Sequence, residues 1–562
     1  MKKQKQHLAF FEGGERAKKA EVIRSAALTP EAERLLANFE VLAEAPGGIK
    51  RLRELILGLA VQGKLVPQDA WDESAKILAD KIASAKPKLA SKCSMRIGEP
   101  LPPVEEADEP YSIPASWRWI RLGDCGGFLG GGTPSKSNSS FWEGSMPWVS
   151  PKDMKRLYID DAEDHISEAA VEGSSVKLIP NGSLLFVIRG MILAHSFPTA
   201  ITTKPVTINQ DMKALVLALP PLGEYLLRAC QAGRARMLQR VERSSHGTCR
   251  LDSNEVDRFP IALPPLAEQA RIVAKVDELM ALCDEMEARQ AKRRVAAGRL
   301  NKAALGELTS AEGPEELAAS LRRVVGNFEA LVDKPESISD LRTALIDLAM
   351  SGRIDPSPRT TNRCQWPTKQ LADVALSTRY GTSQKCDYGL AGNPVLRIPN
   401  VVSGVVDLSD LKFTALPAQE AQELALQEGD LLVVRSNGSK ELVGRAAIVP
   451  KEAVGFAFAG YLIRVRLPRD VVDPRWAHLA LKGSGVRQSI ERPIRTTSGV
   501  HNINTAELLG LSFCIPPVHV QLAIVARVDH LLALCDTLEA KLRVADEGAR
   551  RLAESLVAEL LA

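Results

Sequence analysis

Two stretches decide how this chain is built: PPLAEQARIVAKVDELMALCDEME at 264–287 and PPVHVQLAIVARVDHLLALCDTLE at 516–539. They align without a gap at a constant shift of 252 residues (516 − 264 and 535 − 283). In the first, Ile272, Val276, Leu279, Cys283 and Met286 step by four and three. The second repeats the pattern with Ile524, Val528, Leu531, Cys535 and Leu538. That is the apolar seam of a coiled coil or a packed helix pair. The tandem prolines sit where a helix begins, a position that tolerates proline. A long helix with one apolar seam needs a partner, and the expected partner is the other copy.

A second repeat lies upstream of each variable region: NFEVLAEAPGGIKRLRELILGLAVQGKLVP from Asn38 and NFEALVDKPESISDLRTALIDLAMSGRIDP from Asn327. Each reads as a helix broken at proline (Pro46, Pro335), a second helix, and a glycine stop (Gly63, Gly352). Gly58 to Leu65 approaches a phosphate-binding loop, but Leu65 stands where a metal-binding Ser or Thr is needed. A helix C-cap is the better reading.

Between the helical repeats lie two regions that resemble each other weakly. WIRLGD at Trp119 aligns with TKQLAD at Thr368, GTPSK at Gly132 with GTSQK at Gly381, and GSLLFVIRG at Gly182 with GDLLVVRSN at Gly429. Short apolar runs (LLFVIR, ALVLAL, DLLVVR, YLIRVR) alternate with turn residues, which predicts sheets. The expected fold is α+β: two globular mixed domains separated by long helices that form an antiparallel coiled coil, with an internal pseudo-two-fold repeat. The divisions are a helical region and Pro-rich connector at 1–114, a globular domain at 115–262, a helical spacer at 263–364, a second globular domain at 365–514 and a closing helix at 515–562.

The chain has 562 residues, 45% of them apolar, enough for several cores and against wholesale disorder. No uninterrupted apolar run approaches the roughly 20 residues of a membrane span, and MKKQKQHLAF lacks the apolar centre of a signal peptide. Nine cysteines without a CxxC pair suit a reducing cytosol and argue against a disulfide frame or structural zinc. Net charge is only +3, so any nucleic-acid surface must be local.

Local basic stretches recur at matching places. The first domain offers Arg228, Arg234, Arg236, Arg240, Arg243 and Arg250, with Ser245 and His246 in the loop between. The second offers Lys482, Arg487, Arg492 and Arg495, followed by Thr496, Thr497 and Asn502. Thr133, Ser135, Lys136 and Lys152, with Arg189, are further candidates in the first domain; Arg379, Gln384, Lys385, Arg435, Asn437 and Lys440 are further candidates in the second. Arginine and lysine suit phosphates and guanine edges, and Ser, Thr and Asn suit bases or backbone. An arginine-rich helix also serves as a solvated face, and Trp117, Trp119 and Trp148 suit core packing better than base stacking.

The whole layout resembles the specificity subunit (HsdS) of type I restriction–modification systems. AVQGKLVPQD from Ala60, IPASWRWIRLGDCGGFLGGGTPS from Ile113, MPWVSPKDMK from Met146, RGMILAHSFPTAITTKPVTINQDMKAL from Arg189 and the two PP…Q helices carry the resemblance. It covers about Thr29 to Ala562. Val520 departs from it, standing where the first copy has Glu268. The resemblance implies two target recognition domains that read the halves of an asymmetric bipartite double-stranded DNA site. It implies a coiled coil that spaces them, two methyltransferase subunits docked on that frame and two restriction motor–nuclease subunits beyond them. It implies phage defence in the cytoplasm, away from any membrane. S-adenosylmethionine, ATP and Mg are then expected on the partners and no cofactor or metal on this chain, which is read as non-catalytic. Asn393-Pro394-Val395-Leu396 lacks the second proline and the aromatic of an adenine-methyltransferase motif. The alternative is a stand-alone sequence-specific DNA-binding regulator or architectural protein.

Overall fold

A computed structural model describes residues 28–93, 95, 100–243, 247–311, 314–331, 335, 337–354, 366–491, 495–497 and 500–561. The chain divides into two compact units, residues 1–290 with 546–562, and residues 291–545. Both divisions fall inside long helices, Leu266–Ser310 and Val518–Leu561.

In the first unit the chain enters at Thr29, which caps the helix Pro30–Ala37 by accepting from the Ala32 amide. The helix Gly48–Val61 follows, starting after Gly47 in the left-handed region. Gly58 lies inside this helix and Gln62 caps its end, so the stretch resembling a phosphate loop is a helix terminus and the turn after it. Gly63 then turns the chain at φ 71°, and a Cβ there would strike Pro114 and Trp117. The seam residues Ile272, Val276, Leu279, Cys283 and Met286 share one buried cluster with Leu52, Leu55, Ile56 and Leu59. The short helical repeat therefore shares the seam's core, and the other long helix joins the same core through its end, at Ala553 and Leu560.

The directions follow from paired residues. Along the first long helix, Gln290 meets the Ala43 carbonyl, Asp284 meets Arg53, and Glu268 meets Gln68. Along the second, Glu554 meets Arg51 and the Leu561 carbonyl meets Lys64. One long helix thus opposes the short helix and the other follows it, so the two long-helix segments run antiparallel in this unit.

The second unit repeats the arrangement. Ser337–Met350 is its short helix, Gly352 turns at φ 69°, and a Cβ there would strike Trp366. Arg342 reaches Asp536 and Glu539. Ile524 and Val528 are buried beside Ile346 and Ala349, and Cys535 beside Ala344 and Leu348. Leu531 and Leu538 are half-buried. By length and composition Val518–Leu561 could cross a membrane, and its seam residues Ile524, Val528 and Cys535 are buried in this packing.

Each globular domain has two principal sheets of matching order among the described residues. In the first, Gly126–Gly130, Met212–Leu217, Leu184–Val187, Thr199–Thr202 and Tyr158–Ile159 lie side by side. In the second, Ser377–Tyr380, Leu462–Arg466, Leu431–Val434 and Ala446–Ile448 do. The smaller sheets also correspond: Asp164–Ile166, Met146–Val149, Val206–Ile208 and Leu178–Ile179 against Lys412–Thr414, Asn393–Leu396 and Ala457–Phe458. The centres of the larger sheets, Leu184–Val187 and Leu431–Val434, are wholly buried, which is why their sequences are unbroken apolar runs.

The same bonds recur in both units. Tyr225 Oη donates to the Ala262 carbonyl at 2.6 Å, and Trp476 Nε1 to the Cys514 carbonyl at 2.9 Å. Gln269 Nε2 donates to the Pro264 carbonyl at 2.9 Å, and Gln521 Nε2 to that of Pro516 at 2.7 Å. The repeated PP…Q motif is thus a helix start whose glutamine is buried and satisfies the first proline's carbonyl.

Candidate nucleic-acid interface

In the first domain three loops and a hairpin are stitched together. Gly131 lies against the Asn209 carbonyl, where a Cβ would come within 1.8 Å of the oxygen, so only glycine fits. The Gly132 amide donates to Ile208 at 3.0 Å, and Trp148 Nε1 donates to the Gly132 carbonyl at 2.9 Å. Thr133 Oγ1 donates to Gln210 Oε1. The Ile188 and Arg189 amides both donate to the Asp211 carbonyl, at 2.9 and 3.2 Å. Gly190 then donates to Cys249 in the hairpin Glu242–Arg243/Cys249–Arg250, at 3.0 Å. The GTPSK loop, the Arg189 loop, the 209–211 turn and the hairpin form one surface.

The second domain assembles the same surface. Gly381 packs on the Phe458 carbonyl, where a Cβ would come within 2.1 Å, and Thr382 donates to Phe458 at 2.9 Å. The Gly460 amide returns a bond to Thr382 at 2.8 Å, and the Arg435 amide donates to Tyr461 at 2.9 Å. Ser436–Asn437 pairs with Val500–Asn502, which pairs with Arg495–Thr497. The GTSQK loop, the Arg435 strand, the 459–461 turn and the hairpin correspond to the four pieces of the first domain.

The candidates divide by what they already bind. Lys136, Arg243, Arg250, Lys385 and Lys440 are exposed and make no ion pair among the described residues. Arg189 is exposed, its guanidinium 3.9 Å from Asp211. Ser135 is exposed and bonded to Ser137 at 2.7 Å. Gln384 donates to Glu420 at 3.1 Å, Asn437 accepts from the Ser439 amide at 2.9 Å, and Asn502 donates to the Val500 carbonyl at 3.3 Å. Arg435 lies over the Tyr380 ring, 4.6 Å from its centroid. Ser245, His246 and Arg492 lie outside the described residues, as do the side chains of Arg495, Thr496 and Thr497.

The other basic candidates hold the protein together. Arg228 is buried and bonded to Asp277 at 2.7 Å, pinning its helix to the first long helix. Arg236 packs between Tyr111 and Phe259, and burial pushes its guanidinium pKa down. Arg240 bonds Glu255 at 2.7 Å, and Arg234 donates to the His195 carbonyl at 2.9 Å. Arg379 pairs with Glu423. Arg487 donates to the Val443 and Glu441 carbonyls at 2.8 and 3.2 Å. Lys152 bonds Glu163 and Asp164, which raise its pKa. Trp117 and Trp148 are buried, and Trp119 packs on Tyr111 at 5.1 Å between ring centroids.

Sequence reasoning missed Gln210, Tyr380 and Tyr461, which occupy the same surface. Their signal was their place: each is in or beside a turn that meets the GTPSK or GTSQK loop. It also missed Glu268. That carboxylate is buried, accepts from Trp117 Nε1 at 2.9 Å and Gln68 Nε2 at 2.7 Å, and burial pushes its pKa up to about 7. Val520, its counterpart, lies in the apolar core of the second unit.

Comparison with known proteins fits this duplicated frame. Residues 114–295 match the family described as type I restriction modification DNA specificity domain. The EcoEI specificity subunit of Escherichia coli is 25% identical over 91% of this chain and 93% of its own length. The EcoR124I/EcoR124II specificity subunit of Escherichia coli is 40% identical over 30% of this chain and 42% of its own length. Among solved structures, the HsdS subunit of Thermoanaerobacter tengcongensis is 17% identical with a TM-score of 0.40, covering 81% of this chain and 99% of that one. With relatives aligned along nine-tenths of it and the specificity-domain match falling on the first globular domain and the start of the first long helix, the chain is similar along most of its length to the specificity subunits of type I restriction–modification systems.

Proposed function

We propose that this chain is the non-catalytic DNA-reading subunit of a type I restriction–modification complex, with each globular domain reading one half of an asymmetric bipartite site. The observation that carries this is the duplicated surface. The same loops meet in both domains, and each domain keeps exposed cations (Lys136 and Arg250; Lys385 and Lys440) unpaired among the described residues. Unpaired cations are what phosphate contact requires, and the differing polar groups between them are what base discrimination requires.

The long helices, of 45 and 44 residues, are each roughly 65–70 Å at 1.5 Å per residue. They set the gap between half-sites and dock two methyltransferase subunits, through which two motor–nuclease subunits join. S-adenosylmethionine, ATP and Mg belong to those partners, and the complex works in the cytoplasm against phage DNA.

The test is a base-resolution adenine-methylation map of cells carrying the methyltransferase subunit, with and without this chain. A split, asymmetric motif methylated only with the chain supports the proposal. Equal methylation in both, with the partner active, refutes it and favours a stand-alone regulator. Matched insertions of two turns in both long helices should widen the gap and leave both half-sites unchanged; an altered half-site with the old gap would sink the spacer role.

A further inference from the structure

Tyr461 is 63% exposed, yet its backbone is fixed. Its carbonyl accepts from the Arg435 amide at 2.9 Å, and the neighbouring Gly460 and Leu462 amides donate to Thr382 and Ala459 at 2.8 and 2.9 Å. The ring itself makes no hydrogen bond or ring contact among the described residues. The equivalent position in the first domain is Asp211, whose carbonyl receives the Ile188 amide at 2.9 Å in the same way and whose carboxylate faces the Arg189 guanidinium at 3.9 Å. In the second domain Ser436 stands where the first has Arg189, and Arg435, at the place of Ile188, lies over Tyr380, whose hydroxyl accepts from the Thr505 amide at 3.0 Å. Tyr380 is thus engaged, and Tyr461 is left as the free aromatic where the GTSQK loop, the Arg435 strand and the turn meet.

A large apolar ring displayed in water on a rigid turn gains by burial on binding and loses little side-chain entropy. Its surroundings are those of a DNA-facing surface, where an aromatic face packs on base edges or methyl groups. We propose that Tyr461 is a base-contacting, specificity-determining residue of the second domain, so that this domain reads part of its half-site by apolar contact where the first domain presents Gln210 and Asp211. The inference rests on the DNA-reading function proposed above.

The experiment uses the full chain co-expressed with its methyltransferase subunit, as wild type, Tyr461→Ala and Tyr461→Phe. Methylation maps give the motif. Binding to a duplex carrying that motif and to a duplex of scrambled sequence gives the specificity ratio, and thermal midpoints check folding. For Tyr461→Ala the expected result is one half-site degenerate at one or two positions and a specificity ratio lowered about tenfold, the usual cost of one lost base contact. Scrambled-duplex binding, the other half-site, the gap and the midpoint should match wild type. Tyr461→Phe, which keeps the ring, should retain the wild-type motif. An unchanged motif with a ratio within about twofold of wild type in Tyr461→Ala overturns the inference and leaves the DNA-reading function standing. A wild-type complex with no chain-dependent motif overturns both.

Discussion

Arg53 bonds Asp284 at 2.6 Å and Glu287 at 2.7 Å, and 289 residues further on (342 − 53) Arg342 bonds Asp536 and Glu539. The acceptors are shifted by 252 (536 − 284, 539 − 287), the shift of the long-helix repeat; the donors by the shift of the short one (327 − 38). Two repeats that differ in spacing along the chain therefore meet in the same register in both units. These pairs are partly exposed, so they fix register more than they stabilise. Arg53→Ala and Arg342→Ala should each lower the thermal midpoint by no more than about 2–4 °C, with effects that add in the double variant. Differential scanning calorimetry checks this; a large loss from one variant alone would show that the two sites are not equivalent.

The glutamines of the PP…Q motifs should differ in weight. Gln269 donates to Pro264, while its Oε1 is buried without a partner. Gln521 donates to Pro516 and to the Val471 carbonyl at 2.9 Å, and accepts from the Asp473 amide at 2.8 Å. Each buried polar group left unpaired costs about 1–3 kcal/mol. Gln521→Ala should therefore destabilise by about 3 kcal/mol or more and Gln269→Ala by about 1–2 kcal/mol. Denaturant titration of the two variants decides the order, and equal losses would refute it.

Glu268 gives the first unit a titrating group at a position where the second has Val520. Burial raises its pKa from 4.5 to about 7, against the hydrogen bonds from Trp117 and Gln68 that favour the charged form. An acid whose pKa is raised by folding stabilises the folded state fully below pH 4.5 and loses that contribution as pH rises through about 7. The full swing is on the order of 3 kcal/mol. Glu268→Gln should lose that arm, so its thermal midpoint relative to wild type should rise from pH 5 to pH 8. Parallel midpoint curves for the two proteins would rule the assignment out.

The helical frame was legible in the sequence because an apolar seam at four-and-three spacing and two glycine stops allow few other structures. What the seam packs on was not: a helix pair was expected, and the short repeat supplies a further helix whose leucines fill the same core. The basic candidates show the limit more sharply. Arg228 and Arg250 look alike in sequence, yet one is buried on Asp277 and the other is exposed. Charge is written in the sequence, but the carboxylate or carbonyl that uses it up arrives from 49 residues away for Arg228 and 44 for Arg487. Tyr461 escaped for the converse reason, since nothing local distinguishes an aromatic on an exposed turn from one in a core.

That division between free and committed cations predicts two classes of variant. Lys136→Ala, Arg250→Ala and Lys385→Ala remove exposed charges with no ion pair among the described residues. Each should weaken binding about equally on specific and scrambled duplexes and lower the slope of log affinity against log salt by about 1. Arg228→Ala and Arg487→Ala remove groups whose partners are a carboxylate and buried-edge carbonyls. These should lower the thermal midpoint and leave the salt slope of the folded complex unchanged. The check is a salt titration of duplex binding by the full complex for all five variants, beside their thermal midpoints. A salt slope lowered by Arg228→Ala, or left intact by all three exposed-site variants, would place the DNA-facing surface elsewhere on these domains.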